Sequence, residues 1–306
     1  VPGLRSRPSS VRALASAVPL ANTTELVQNA AMSSRLGQLW QRHVTRHLDA
    51  VDAERSDGPV TAGAPTARTE ALVVFVVGAL VLAAMSYAVL QHGVQHGMAE
   101  VVIGWAGAIS TDLGRTAREY VDLIRLAMWT CGAIAFYVVI PGLVIRVVLK
   151  RNLSDFGLNL KEFRKHLPIY ALFFAPVAIL VLVVAAAPDF QAKYPFYRQP
   201  KGPLDLVAWE FLYMGQFFAL EFFFRGFLVH GLKRRLGSLA AFAMVAPYVM
   251  IHFGKPLYET IGAVIAGSVL GVLSLRTGSI AGGVAIHCAV AVMMDMAAMA
   301  HRGFPW

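Results

Sequence analysis

Residues 71–90 read ALVVFVVGALVLAAMSYAVL, an unbroken run without a charged side chain. At 1.5 Å per residue, such a run spans about 30 Å as a helix, the thickness of a bilayer's hydrocarbon core. Backbone polar groups in hydrocarbon must be satisfied internally, so a segment of this kind crosses as a helix. Similar blocks follow at about 125–148, 167–187, 204–232, 238–253, 257–275 and 279–300. Residues 97–110 are also apolar but short, and suit a re-entrant or interfacial piece. Pro141 predicts a kink in the second span.

The expected fold is therefore all-α: a polytopic transmembrane helix bundle of about seven to eight spans, residues 70–306, behind a polar N-terminal extension, residues 1–69. Composition agrees. The 306 residues are 57% hydrophobic and 15% charged, against about 25% charged in soluble domains. The mean hydropathy is +0.59. The net charge of +9 does not point to nucleic acid, because the basic residues flank the apolar blocks. Arg146, Lys150, Arg151, Lys161, Arg164 and Lys165 lie between the second and third spans. Lys233, Arg234 and Arg235 follow the fourth, and Arg276 follows the sixth. Seven spans put all of these on one side, which the positive-inside rule makes cytoplasmic. The expected location is the inner (cytoplasmic) membrane, with the extension in the cytoplasm.

Within the extension, Leu36, Trp40, Val44, Leu48 and Val51 recur at helical spacing over residues 23–54. This suits a surface-lying amphipathic helix or a packed one. Residues 55–69, RSDGPVTAGAPTART, read as a flexible linker. Residues 1–20 carry Arg5, Arg7 and Arg12 before a short apolar stretch broken by Pro19, a weak match to a secretory leader. Cys131 and Cys288 fall inside apolar blocks and read as small buried hydrophobes, neither a disulfide nor a metal site.

The fourth span is unusual in carrying Glu210, Glu221 and Arg225. A charge at mid-membrane costs about 2.5–3.5 kcal/mol or more, so such residues mark function by default. Glu221 and Arg225 are four apart and can pair on one helical face. His252, one turn after Tyr248, lies ~22 Å deep from the cytoplasmic end of its span, Glu221 ~18 Å and His287 ~14 Å. Three helices thus bring a carboxylate and two imidazoles to one level. Two chemistries suit this set. In one, Glu221 is general base on a water held by His252, and His287 stabilises an oxyanion. In the other, Glu221, His252 and His287 ligate zinc with one open position, though the HExxH pattern is absent. The first needs no cofactor. Glu259, shortly after Gly254-Lys255-Pro256, is either a second acid near the outer ends of spans five and six or a helix-start residue favoured by the macrodipole.

The stretch Leu220-Glu221-Phe222-Phe223-Phe224-Arg225-Gly226 resembles the first motif of the CAAX-processing endopeptidase and bacteriocin-processing (CPBP) family of intramembrane proteases. Tyr248-Val249-Met250-Ile251-His252 looks like its second motif, and His287 sits where the third has its histidine. Leu153-Ser154-Asp155-Phe156-Gly157-Leu158 is similar to an upstream loop of bacterial members. The resemblance covers about residues 150–300. It implies a helical membrane bundle and cleavage of prenylated or other membrane-associated peptides or proteins. It also implies water activation by Glu221 and His252, with His287 at the oxyanion and Arg225 orienting Glu221. The chain departs from the pattern twice. Leu220 stands where the first of two adjacent glutamates is usual. Ala291 stands where Asn or Asp is usual four after the histidine, with Asp295 the next acid and a candidate substitute.

Two other readings use the same residues. One is a non-catalytic adaptor or immunity protein on this fold, which the loss of the first glutamate favours. The other is a small transporter with a proton relay, against which stands the absence of an evident inverted repeat. Gly267-x-x-x-Gly271 and Gly278-x-x-x-Gly282 predict close helix packing. Phe222-Phe223-Phe224 suits either a lipid groove or a core wall.

Overall fold

The computed structural model describes residues 38, 41, 45–59, 62–160 and 163–303. Most of the predicted 23–54 helix and all of residues 1–20 lie outside the described residues. Chain order gives α1 Arg46–Ala53, α2 Ala67–Val89, α3 His92–Ile109, α4 Thr111–Glu119, α5 Val121–Val148, α6 Phe163–Val184, α7 Pro188–Lys193, α8 Pro203–Leu236, α9 Leu239–Met250, α10 Leu257–Thr277 and α11 Ala281–Arg302. No strand occurs among the described residues.

Six of these helices, α2, α5, α6, α8, α10 and α11, are long and apolar enough to cross a membrane. The predicted span 238–253 is shorter than a full crossing. Its helix ends at Met250 and gives way to a turn over residues 251–255. Twelve residues rise only ~18 Å. Residues 97–110 belong to α3, which packs against α4, and the two glycines Gly107 and Gly114 let their backbones touch: a Cβ on Gly114 would meet the Gly107 Cα at 2.7 Å. At nine residues α4 is too short to cross, and the two helices pack together as a hairpin.

The loops alternate in side as the charge pattern predicts. Glu70, at the start of α2, sits between Arg151 (3.3 Å), after α5, and Arg234 (2.5 Å), late in α8. The Ser279 hydroxyl donates to the Asn159 carbonyl (2.5 Å), and the Ile280 amide to the Gly157 carbonyl (3.0 Å). Gly157 takes φ 84°, which favours glycine there. The basic loops 149–160, 233–238 and 276–280 thus gather at one end, and the opposite end is marked by Arg302 donating to Gln191 (2.7 Å). The stretch read as a flexible linker is partly fastened to that basic end. Asp57 pairs with Arg235 at 2.9 Å and Arg234 donates to the Gly58 carbonyl, and just before the stretch, in α1, Asp52 accepts from the Ser238 amide and hydroxyl at 2.8 Å each.

Helix α8 is the axis of the bundle. Of its apolar window 72% is buried, against 11% for α6, whose Leu172, Ile179, Leu182 and Val183 face outward. Outward apolar faces are what lipid contact requires. Phe222, Phe223 and Phe224 are fully buried in the core rather than lining a groove. Three of the four predicted small-residue positions are packing points: Gly267 lies against Tyr248 and Gly271 against Ala241, joining α10 to α9, and Gly282 lies against the Tyr170 ring, whereas Gly278 faces open space. Neither cysteine is disulfide-bonded. Cys131 is exposed on the outer face of α5 rather than buried, and Cys288 is half-buried.

Candidate active site

Helix α8 widens into π-type turns over Phe222–His230, a feature frequent at functional sites. Glu221 and Arg225 lie at this transition and are both wholly buried. Their side chains pair at 3.0 Å. Across the interface, His287 Nδ1 of α11 lies 2.6 Å from Glu221 Oε1. The Tyr248 hydroxyl of α9 is 3.0 Å from His287 Nε2. The Arg225 guanidinium covers the Tyr248 ring at 4.1 Å from its centroid, a cation–π contact. Four side chains on three helices thus form a closed circuit: Glu221, Arg225, Tyr248, His287 and back.

The circuit fixes a tautomer. A carboxylate accepts only, so Nδ1 of a neutral His287 carries its proton toward Glu221, and Nε2 accepts from the Tyr248 hydroxyl. Phe217 holds the ring plane, stacking on it at 5.4 Å. The Glu221 contacts are close but not aligned as hydrogen bonds: among the described residues both carboxylate oxygens, all three guanidinium nitrogens and His287 Nδ1 lack an aligned partner. Both His287 nitrogens face protein groups, so an oxyanion contact from this ring requires the Tyr248 hydroxyl to yield.

His252 stands apart from the circuit. Its Nδ1 lies 2.8 Å from the Tyr248 carbonyl. A carbonyl only accepts, so Nδ1 bears the proton and Nε2 is left as a free acceptor.

Beside the circuit is a cavity of about 310 Å³. His252, His287, Tyr248, Lys255, Glu259 and Leu220 line it, with mostly apolar side chains of α2, α6, α8, α10 and α11 around them. Glu221 and Arg225 do not line it. Leu220, at the adjacent helix position, does. Neighbouring positions point about 100° apart, and that rotation separates the cavity wall from the buried pair. Glu221 lies behind that wall and contacts it through His287.

Asp295 does not replace the residue missing at position 291. It is fully buried and its Oδ2 accepts from Trp209 Nε1 at 2.8 Å, away from His287. Glu210 is also buried off the cavity, with neither carboxylate oxygen hydrogen-bonded. Glu259 does reach the cavity. Among the described residues, no three or more His, Cys, Asp or Glu side chains are grouped to hold a metal ion.

Gly283 was not evident from sequence. A Cβ there would overlap Glu221 Oε2, so α11 can accept the carboxylate only at a glycine. Gly283→Ala is expected to destabilise the protein by about 1–3 kcal/mol, the usual cost of overpacking. Thermal unfolding in detergent reads this against Gly142→Ala, whose Cβ would enter open space; equal stability of the two would refute the close fit.

No curated protein and no solved structure matches the chain. Residues 202–293 match the family model described as type II CAAX prenyl endopeptidase Rce1-like. That stretch contains Glu221, Arg225, Tyr248, His252, Glu259 and His287, so the part of this membrane protein that builds the site is similar to that family.

Proposed function

We propose that the protein is an intramembrane endopeptidase that hydrolyses peptides or proteins held at the membrane, prenylated chains among them, in a bacterial-type cytoplasmic membrane. The observation that carries the reading is the cavity: an apolar chamber within the bundle with two imidazoles at its wall and a buried Glu221–Arg225 pair behind one of them. The apolar lining suits a lipid-modified or apolar peptide. His252 Nε2 faces the work of holding a water. Glu221 and Arg225 act indirectly, fixing the tautomer and position of His287 beside the substrate carbonyl. No cofactor enters this scheme, and zinc remains the rival chemistry.

The test is cleavage of a membrane-anchored reporter peptide library, including farnesylated members, by purified protein in liposomes. Wild type is expected to cleave with or without chelator. Glu221→Gln is expected to lower the rate at least about tenfold, because general acid–base and electrostatic groups lose this much when misplaced. Loss of activity in chelator would move the reading to metal chemistry.

One observation favours a second reading. Leu220 puts an apolar side chain on the cavity wall where the resembled motif has its first glutamate. A folded wild type that cleaves nothing would support a non-catalytic adaptor or immunity role on the same fold.

A further inference from the structure

The cavity contains a carboxylate that the circuit does not use. Glu259 stands in the first turn of α10, where the helix macrodipole favours an anion. Its Oε1 is held twice, by the Tyr194 hydroxyl (3.0 Å) and Lys255 Nζ (2.5 Å). Its Oε2 is buried and has no hydrogen-bond partner. Burial, with the Glu259 carboxylate beside it, raises the Tyr194 hydroxyl well above its ordinary value, so Tyr194 stays a donor.

His252 enters the same cavity from just before this turn. Its carbonyl accepts from the Thr260 hydroxyl at 3.1 Å, which pins the 251–256 turn onto the start of α10. One fastened turn therefore places two residues at one cavity wall, His252, with Nδ1 engaged and Nε2 left as an acceptor, and Glu259, with a buried and unpartnered Oε2. An unpartnered buried carboxylate oxygen is costly and calls for a donor. On the facing wall Leu220 offers none.

We propose that Glu259 is the general base of the reaction, a role that rests on the peptidase reading above. A cavity water gives one O–H to His252 Nε2 and the other to Glu259 Oε2. As its oxygen bonds to the scissile carbonyl carbon, the proton passes to Glu259 and the C=O π pair moves to oxygen. When the intermediate collapses, the C–N bond breaks, and the protonated Glu259 returns its proton to the leaving nitrogen. The products are a carboxylic acid and an amine, and Glu259 is again a carboxylate. Lys255 and Tyr194 hold Oε1 and so aim Oε2.

The ionisable groups near Glu259 are Lys255, Tyr258 and His252 on its own turn and helix, Tyr194 from the connection before α8, Tyr213 on α8 and Tyr248 on α9. In the liposome assay, Glu259→Gln is expected to lower kcat by about 10²-fold, at the lower end for a lost general base. KM should stay within about twofold, and the acid limb of the pH–rate profile should disappear. Glu259→Asp should keep that limb at a reduced rate, which separates a base from a mere structural contact if the glutamine variant folds poorly. Wild-type kcat in Glu259→Gln, or equal profiles for the Asp and Gln variants, would overturn the proposal while leaving the peptidase reading intact. A wild type that cleaves nothing would overturn both.

Discussion

Arg225→Met is expected to destabilise the folded protein by about 3–5 kcal/mol, the cost of leaving a buried charge without its partner. Arg225 is wholly enclosed, as is Glu221, and methionine keeps much of the volume while removing the charge. The variant strips Glu221 of its closest cation and Tyr248 of its cation–π cover. The double variant Glu221→Gln/Arg225→Met should recover much of the loss, because it leaves no isolated charge. Thermal unfolding of the four proteins in one detergent gives the cycle. If Arg225→Met alone unfolds like wild type, the pair does not neutralise a buried charge. If the double variant is worse than either single one, the loss is packing rather than electrostatics.

His252→Ala is expected to lower kcat by about 10²–10⁴-fold, the usual share of a group that handles protons in the transition state, with little loss of stability. The reason is its position. Among the described residues His252 is hydrogen-bonded through one nitrogen, to the Tyr248 carbonyl, and its ring lines the cavity. The same measurement on His287→Ala should show a mixed effect, lower activity together with lower stability, since that ring closes the circuit between Glu221 and Tyr248. Cleavage at the wild-type rate by His252→Ala would remove His252 from the chemistry. A His252→Ala variant that fails to fold would show that the imidazole is a structural contact.

The helical bundle was legible because charge-free blocks of helix-spanning length admit few alternatives. The short α9 was not, because residues 251–253, Ile-His-Phe, remain largely apolar after the helix has ended, and hydropathy does not mark a turn. The Glu221–Arg225 pair followed from spacing alone, and depth counting brought His287 to the right level. What depth counting cannot supply is azimuth. Leu220 rather than Glu221 faces the cavity, a difference of about 100° around α8. Asp295, eight residues after His287, is rotated about 80° from it, and so it meets Trp209 instead. The Tyr194–Glu259 bond joins residues 65 apart in sequence, and no local pattern announces such a contact. Gly283 was hidden for the same reason: its meaning lies wholly in the side chain opposite.

The pairing of Glu221 with Arg225 is made within one helix, four residues apart. Its consequence lies in biogenesis. When α8 leaves the ribosome, α9 and α11 have not yet been made, so neither Tyr248 nor His287 exists to meet it. A carboxylate whose counter-ion sat on a later helix would enter the translocon bare. Here α8 brings its own counter-ion, and the two charges pass the lateral gate as a neutral pair. The later helices then have only to close around a pair that has already formed.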